Sequence, residues 1–488
     1  MFSILAQTAT ETSVPVTSLI ALLIFGIAFL LLLILRFKLQ AFLALLVVSV
    51  VVSIGATFIN PDQAAGLTEI GQTIVKSMGG ALGFIATIIG IGAIFGAMLE
   101  QSGGTQSLAN TLVSKFGQEK APWAMLVTGF IISIPVFLDV ALVILAPLLY
   151  ALARDTKKSI LVFGLPLVAG MAVTHAFVPP TPGPVAVAYF LEVNLGYVIG
   201  FGILVGLPTA IICGPFLCSK MATLVDVKTP LLPEENQIKE DKKLPSFLQI
   251  ASLIGLPIAL ILAGTIVEQT AISGLDSGLS KAERGQQVSE ILNGMPIGNQ
   301  IIHFLGHPVI ALMISTLLAI YFLGILRGTK KEDLVEISTK ALGPAGIIIL
   351  ITGAGGVFKG VLIATGIADA LKEVFASSPI PIIVLAYIFA TLVRIAQGSA
   401  TVAMLTAAGL MVSFVEGFSQ PYLALIACAI AAGATGFSHV NDSGFWMISR
   451  YLGMTEKQTL KTWTVISTAI SLVSFSIILV ISLFIPMK

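Results

Sequence analysis

Three charged side chains interrupt the most apolar stretches of this 488-residue sequence. Asp139 follows Ile-Pro-Val-Phe-Leu, Arg394 precedes Ile-Ala-Gln-Gly-Ser-Ala-Thr, and Asp442 lies within Ser-His-Val-Asn-Asp-Ser-Gly. An ionisable group at membrane depth is costly unless it is paired or hydrated, so such groups usually mark a function. A carboxylate there could carry a proton, and the planar guanidinium of arginine suits a carboxylate ligand. These residues therefore indicate chemistry on protons and a small anion.

Each charge also has a structural interpretation. Asp139 could cap the helix that follows it, where the helix dipole favours negative charge. Arg394 could form a structural ion pair with Asp139 or Asp442. Asp442 could carry a proton or merely cap a helix that begins at Phe445. Lys359, a further cation at membrane depth, could pair with an acidic residue of the bundle, whereas Glu100 is expected at a cytoplasmic helix end.

Polar residues surround two breaks in the apolar pattern. The run His175-Ala-Phe-Val-Pro-Pro-Thr-Pro-Gly-Pro184 cannot continue a helix, because proline lacks a backbone donor. Hydroxyl and amide groups beside exposed backbone N–H groups can hold an anion or a polyhydroxylated ligand. The predicted substrate-binding residues are Arg394, Gln397, Gly398, Ser399, Thr401, Thr181, Gly183, Asn441 and Ser443. The predicted proton-coupling residues are Asp139, His175, His439 and Asp442, although a histidine in a membrane helix could equally serve packing.

Composition restricts the class of protein that must position these residues. Charged residues make up 10% and hydrophobic residues 56% of the chain, and the mean hydropathy is +1.02. Soluble domains average about 25% charged residues, so a soluble enzyme, a nucleic-acid-binding protein and a disulfide scaffold are excluded. Nucleophile-elbow, zinc-protease and Walker motifs are absent from the sequence. We therefore expect a polytopic all-α membrane protein that is no enzyme, has no cofactor or metal, and draws energy from an ion gradient.

Hydropathy predicts about ten membrane crossings and two re-entrant hairpins. The crossings are 16–36, 39–59, 79–100, 159–192, 195–217, 246–268, 307–327, 341–364, 422–450 and 462–485, of which 159–192 and 422–450 are broken. The hairpins are 122–153 and 380–416, each with a polar or helix-breaking centre that must be covered by protein or water. Most of the 26 Lys and Arg residues then fall on one side. The positive-inside rule makes that side cytoplasmic and places both termini outside.

The two halves of the chain share a weak repeat. Gly90-Ile-Gly-Ala-Ile-Phe matches Gly353-Ala-Gly-Gly-Val-Phe, and Thr174-His175 matches Ser438-His439 at almost the same spacing. Asp139-Val-Ala falls opposite Ser399-Ala-Thr. Five crossings and a hairpin per half place the halves in opposite orientations, as in secondary transporters. The predicted units are a first repeat 1–218, a cytoplasmic linker 219–245 and a second repeat 246–488.

Several motifs resemble those of the gluconate permease family of proton symporters. They are Thr174-His-Ala-Phe-Val-Pro-Pro-Thr-Pro-Gly-Pro-Val-Ala186, Ser438-His-Val-Asn-Asp-Ser-Gly-Phe-Trp446, Thr459-Leu-Lys-Thr-Trp463, and Pro135-Val-Phe-Leu-Asp139 followed by Leu145-Ala-Pro-Leu148. The resemblance implies uptake of gluconate or a related anion with protons, although relatives also handle hexonates, hexuronates, ketogluconates and D-serine. Similarity to the wider ion-transporter superfamily implies elevator-type movement and a homodimer. By that analogy the mobile domain is 79–192 and 341–450, and the scaffold is 1–78, 195–340 and 451–488.

The expected function is proton-coupled import of a small sugar-acid or hydroxy-acid anion across a bacterial inner membrane. The expected partners are the organic anion, the lipid bilayer and a second copy of the chain, and no nucleic acid. Sodium coupling, D-serine transport and a passive channel or facilitator remain alternatives.

Overall fold

The computed structural model describes residues 16–61, 66–225, 227, 244–272, 281–367, 369–370, 373, 380–415 and 417–487, and these residues form helices and connecting turns only. The helices of the first half are α1 Val16–Leu35, α2 Ala41–Ile59, α3 Ile70–Gln101, α4 Gly104–Phe116, α5 Ala121–Ile132, α6 Leu138–Thr156, α7 Leu161–Phe177, α8 Pro182–Phe190, α9 Leu195–Ile211 and α10 Cys218–Thr223. A π-helical turn, Ile212–Leu217, joins α9 to α10.

The second half begins with α11 Phe247–Ile272. The helices that follow are α12 Lys281–Gly294, α13 Ile297–Gly306, α14 Pro308–Ala319, α15 Lys331–Ala364, α16 Ile382–Gln397, α17 Ala400–Met411, α18 Gln420–Thr435, α19 Ser443–Tyr451 and α20 Glu456–Ser482. Most of the predicted linker 219–245 lies outside the described residues. The same is true of both chain ends, for which the positive-inside rule predicts a position on the outer side of the membrane.

Nine helical stretches among the described residues are long and apolar enough to cross a membrane. They are Val16–Ile34, Ala41–Ile59, Ile70–Gln101, Leu161–Phe190, Leu195–Thr223, Phe247–Ala271, Pro308–Arg327, Lys331–Ala364 and Glu456–Ser482. The tenth predicted crossing, 422–450, is present as the half-helices α18 and α19. The all-helical, polytopic fold class is therefore confirmed.

Two helices begin about three turns before the positions predicted from hydropathy. Helix α3 starts at Ile70 instead of 79, and α15 starts at Lys331 instead of 341. Hydropathy detects only the apolar part of such a helix. The first turn of α15 instead carries Glu332 and Asp333, and acidic side chains at an N-terminus interact favourably with the helix dipole.

Both predicted hairpins are divided at their centres. Ser133–Phe137 separate α5 from α6, and Gly398 with Ser399 separate α16 from α17. The arms α16 and α17 pack against each other, whereas α5 and α6 make little mutual contact. The first hairpin is therefore splayed and the second is closed.

Close helix contacts recur in the two halves. A Cβ added at Gly129 of α5 would overlap the Leu167 carbonyl oxygen of α7, and one at Gly433 of α18 would overlap the Tyr387 carbonyl oxygen of α16. Small residues let membrane helices approach until their backbones touch. In both halves, the first hairpin arm is thereby held against the first half of the broken helix.

Helix packing crosses the domain division drawn from analogy. Helix α3 packs along α15, and α2 and α14 pack against this pair. Helices α9 and α20, which the analogy assigned to the scaffold, pack against the broken helices α7 and α18, and α9 also packs against α11. Sequence adjacency gave no indication of this, because the grouping depends on contacts between distant segments.

Candidate substrate and proton site

Four helices begin inside the protein at the breaks. They are α6, α8, α17 and α19, whose N-cap residues are Phe137, Thr181, Ser399 and Asp442. The first turn of a helix presents unpaired backbone N–H groups and the positive end of the helix dipole. Such termini favour an anion at the positions towards which they point.

Contacts connect the four breaks into one polar centre. Thr181 lines a small cavity together with Pro135 and Phe137 of the first hairpin. A Cβ on Gly183 of α8 would lie 2.6 Å from Met404 Sδ of α17. Helix α6 packs on α19, and a Cβ on Gly398 would overlap the backbone oxygen of Asn441. The predicted substrate residues of both halves are thus brought together.

Arg394 is buried and holds the second hairpin to the second break. Its Nε donates to the Gly436 carbonyl at 3.1 Å, its Nη1 donates to the Gly398 carbonyl, and its Nη2 lies 2.5 Å from Asp442 Oδ2. The side chains of Arg394 and Asp442 are 4% and 14% exposed. Of the two ion-pair partners considered from sequence, the structure places Asp442 beside the guanidinium.

Asp442 also organises the start of α19. Its Oδ1 accepts the Gly444 N–H at 2.8 Å, so the helix begins at Ser443 and not at Phe445 as predicted. Its Oδ2 accepts the Ser438 hydroxyl at 2.5 Å, and Trp463 Nε1 donates to that hydroxyl at 2.8 Å. Sequence reasoning assigned no role to Trp463, although it lies in a recognised motif.

Two further residues of the second break contact the hairpin. The Nδ2 of Asn441 donates to the Ile395 carbonyl at 2.9 Å, and Nε2 of His439 lies 3.1 Å from the same oxygen. Ser443 is exposed at the first position of α19. Asn441 and His439 therefore share one backbone acceptor instead of facing separate ligands.

The hairpin joint itself keeps an unsatisfied acceptor. Gln397 Oε1 is buried and has no hydrogen-bond partner among the described residues. Gly398 has φ +83°, a conformation that glycine adopts readily, and Ser399 caps α17 by accepting the Val402 N–H at 3.4 Å. Thr401 is the second residue of α17, as Asp139 is of α6. When the two hairpins are aligned by the starts of α6 and α17, Asp139 corresponds to Thr401. The sequence match had instead set Asp139 opposite Ser399, two residues earlier.

Several polar groups around the first hairpin also lack partners. Thr128 Oγ1, Ser133 Oγ and His175 Nδ1 are buried without a hydrogen bond in the described structure. Asp139 is exposed in the first turn of α6 and lies within electrostatic range of the His175 ring. Thr181 instead donates to the Val178 carbonyl at 2.7 Å. Asp139 and His175 are therefore the proton-coupling candidates that internal bonds leave available.

A cleft of about 490 Å³ reaches the first hairpin from the side predicted to be cytoplasmic. Its wall includes Pro135–Phe137, Val140, the half-buried Glu100 and Lys340. Glu100 lies within electrostatic range of Asp139. Sequence reasoning placed Glu100 at a helix end but assigned it no function, because only the fold places the end of α3 beside this hairpin.

The intramembrane Lys359 contacts the opposite end of α8. Its Nζ donates to the Phe190 carbonyl at 3.0 Å, lies 3.7 Å from Glu192 Oε1, and sits 5.9 Å from the centre of the Tyr189 ring. These groups border a cavity of about 540 Å³ on the side predicted to be outside, where burial and then the nearby His303 lower the pKa of His307. Lys359 thus bridges α15 and α8.

Paired hairpins and broken helices that meet at a polar centre define the architecture of a secondary transporter. The chain belongs to the GntP family permeases, whose family model matches residues 18–484. It is 37% identical to the inner membrane permease YgbN of Escherichia coli strain K12 (94% of this chain, 97% of the relative) and 36% identical to the gluconate permease of Bacillus subtilis strain 168 (94% and 98%).

A solved structure supports the same fold. The YdaH transporter of Alcanivorax borkumensis, described as having an unusual topology, superposes with a TM-score of 0.60 at 15% identity. The match covers 91% of this chain and 98% of that one. The family match and the named permease relatives make the chain a multi-pass membrane permease and not an enzyme.

Proposed function

We propose that this permease carries gluconate or a closely related sugar-acid anion with protons into the cytoplasm across a bacterial inner membrane. The observation that carries the proposal is the polar centre at which four helices begin. It combines helix N-termini that favour a carboxylate with side chains that can bind hydroxyl groups. Relatives that are named gluconate permeases, one of them at 36% identity over 94% of this chain, support the choice of substrate.

Substrate recognition centres on the second hairpin joint. Gln397 Oε1 is buried without a partner in the described residues, so a substrate hydroxyl can satisfy it at no cost to an internal bond. Ser399, Thr401, Asn441 and Ser443 would complete this side of the site. All three guanidinium nitrogens of Arg394 contact protein acceptors in this conformation, so its role as a substrate ligand remains a prediction.

Proton coupling centres on the first hairpin. Asp139 is exposed near the polar centre and interacts electrostatically with His175. Asp442 pairs with Arg394 and caps α19, and His439 contacts a backbone carbonyl. Asp139 and His175 are accordingly our proposed proton carriers, while His439 and Asp442 hold the second break in position.

Transport would proceed by movement of the helices that carry the breaks relative to the α3–α15 pair. Helix α8 contacts α3 and α15, and α17 contacts α15, so α8 and α17 form the surface along which such movement would occur. In this proposal, the splayed first hairpin and its open cleft belong to a state that faces the side predicted to be cytoplasmic. An elevator-type mechanism with a dimeric scaffold fits this division.

The decisive experiment is radiolabelled gluconate uptake by purified protein in liposomes, with pH and sodium gradients imposed separately. Accumulation driven by the pH gradient alone supports proton symport. Accumulation driven only by sodium, or mere equilibration, would replace the proposal by sodium coupling or passive transport. Competition by unlabelled idonate, hexuronates and D-serine ranks the substrates.

Single variants test the two halves of the site. Gln397→Met should raise KM about tenfold, equal to one hydrogen bond of roughly 1.4 kcal/mol, with an unchanged melting temperature. Asp139→Asn should lose pH-driven accumulation but retain substrate counterflow. An unchanged KM would remove Gln397 from the substrate site, and full accumulation would remove Asp139 from the coupling path.

A further inference from the structure

Glu100 is a carboxylate that lines the cleft of about 490 Å³ beside the first hairpin. It lies one residue before the end of α3, and it is half-buried. The cleft that it lines extends to Pro135–Phe137 and Val140, which flank Asp139. Water that fills this cleft from the cytoplasm would therefore meet Glu100 beside the first hairpin.

The surroundings of Glu100 offer it little compensation for a negative charge. The last turn of a helix carries unpaired carbonyl groups and the negative end of the dipole. Asp139 adds a second carboxylate within electrostatic range. No cation pairs with Glu100 among the residues that the structure describes, and Lys340, which also lines the cleft, lies 2.6 Å from Glu336 instead. The remaining charged group of the cleft, Asp333, is also acidic.

We propose that Glu100 is the cytoplasm-facing proton-transfer residue of the transport cycle, a role that rests on the proposed proton symport. The proton bound to an Asp139 carboxyl oxygen passes through intervening water to a Glu100 carboxylate oxygen. The Asp139 O–H bond breaks, the Glu100 O–H bond forms, and Glu100 then releases the proton to cleft water.

Proton release through Glu100 also explains how the anion leaves. When Asp139 is protonated, a substrate anion can lie near it without repulsion. Loss of that proton through Glu100 to the cytoplasm leaves Asp139 negatively charged at the start of the exit path, and like charges repel most strongly where water is scarce. Substrate release is thereby tied to proton release on the same side of the membrane.

The test compares three variants in the same liposomes. Glu100→Gln should reduce pH-driven gluconate accumulation roughly tenfold or more, because a general acid–base group is lost, and keep counterflow close to wild type. Glu100→Asp should restore part of the accumulation. Asp333→Asn, a charge removal on the same cleft, should behave as wild type. A merely structural role for Glu100 would instead lower counterflow and melting temperature together with accumulation.

The outcomes separate this inference from the proposed function. If wild-type protein shows no pH-driven uptake, proton symport fails whatever Glu100 does. If the wild type accumulates gluconate and Glu100→Gln accumulates it equally, the role of Glu100 is refuted while symport stands. An equal loss from Asp333→Asn would also refute it, because general cleft charge and not Glu100 would then set the rate.

Discussion

Removing the charge of Asp442 tests whether its pairing with Arg394 holds the second half of the site together. The Arg394 Nη2 to Asp442 Oδ2 distance is 2.5 Å, and both side chains are largely buried. Asp442→Asn keeps an oxygen for the Gly444 N–H but leaves the guanidinium without a balancing charge. Breaking a buried ion pair from one side costs about 3–5 kcal/mol, so we expect a loss of this size in the free energy of unfolding.

An exposed pair on α15 supplies the matched control. Lys340 and Glu336 are 2.6 Å apart, with side chains 75% and 60% exposed. Exposed helix pairs of this spacing contribute little to stability because solvent screens the two charges, so Glu336→Gln should be nearly silent. The double variant Arg394→Met with Asp442→Leu should lose less than the sum of the single losses, because neither charge is then left alone.

Equilibrium unfolding in mixed detergent micelles measures these free energies, and gluconate counterflow reports whether the site survives. A loss below about 1 kcal/mol for Asp442→Asn would refute the reasoning, because that is the level expected for a solvent-screened pair. Additive effects of the two single changes would equally show that Arg394 and Asp442 do not depend on each other.

Two further comparisons use matched positions. Gly398 and Gly417 both have positive φ, but only Gly398 faces a close neighbour, Asn441. The left-handed backbone should destabilise both alanine variants by about 1–2 kcal/mol. Only Gly398→Ala should also lose transport, measured as counterflow. Equal transport in the two variants would contradict a role for the contact between Gly398 and Asn441. Lys359→Met should lower the melting temperature and alter the uptake rate, because it breaks the bridge from α15 to α8. The control variant Lys340→Met should change neither. Identical behaviour of the two variants would argue against that bridge.

The sequence by itself determined the fold class, the membrane segments and the places where they break. These properties are local: scarcity of charge requires lipid as the surroundings, apolar length sets the crossings, and proline or glycine with polar neighbours ends a helix. The motifs also placed most candidate site residues at these breaks. Segment starts were less predictable, because α3 and α15 continue as helix beyond their apolar parts.

Only the tertiary structure decided which of these residues remain available for a ligand. Arg394, Asp442, Asn441 and His439 all contact other protein groups, while Gln397 and His175 keep unpartnered buried atoms in the described structure. Glu100 came to the site only through the packing of α3 beside a hairpin. Hydrogen bonding and electrostatic environment depend on segments far apart in the chain, and a charge pattern alone does not contain those distances.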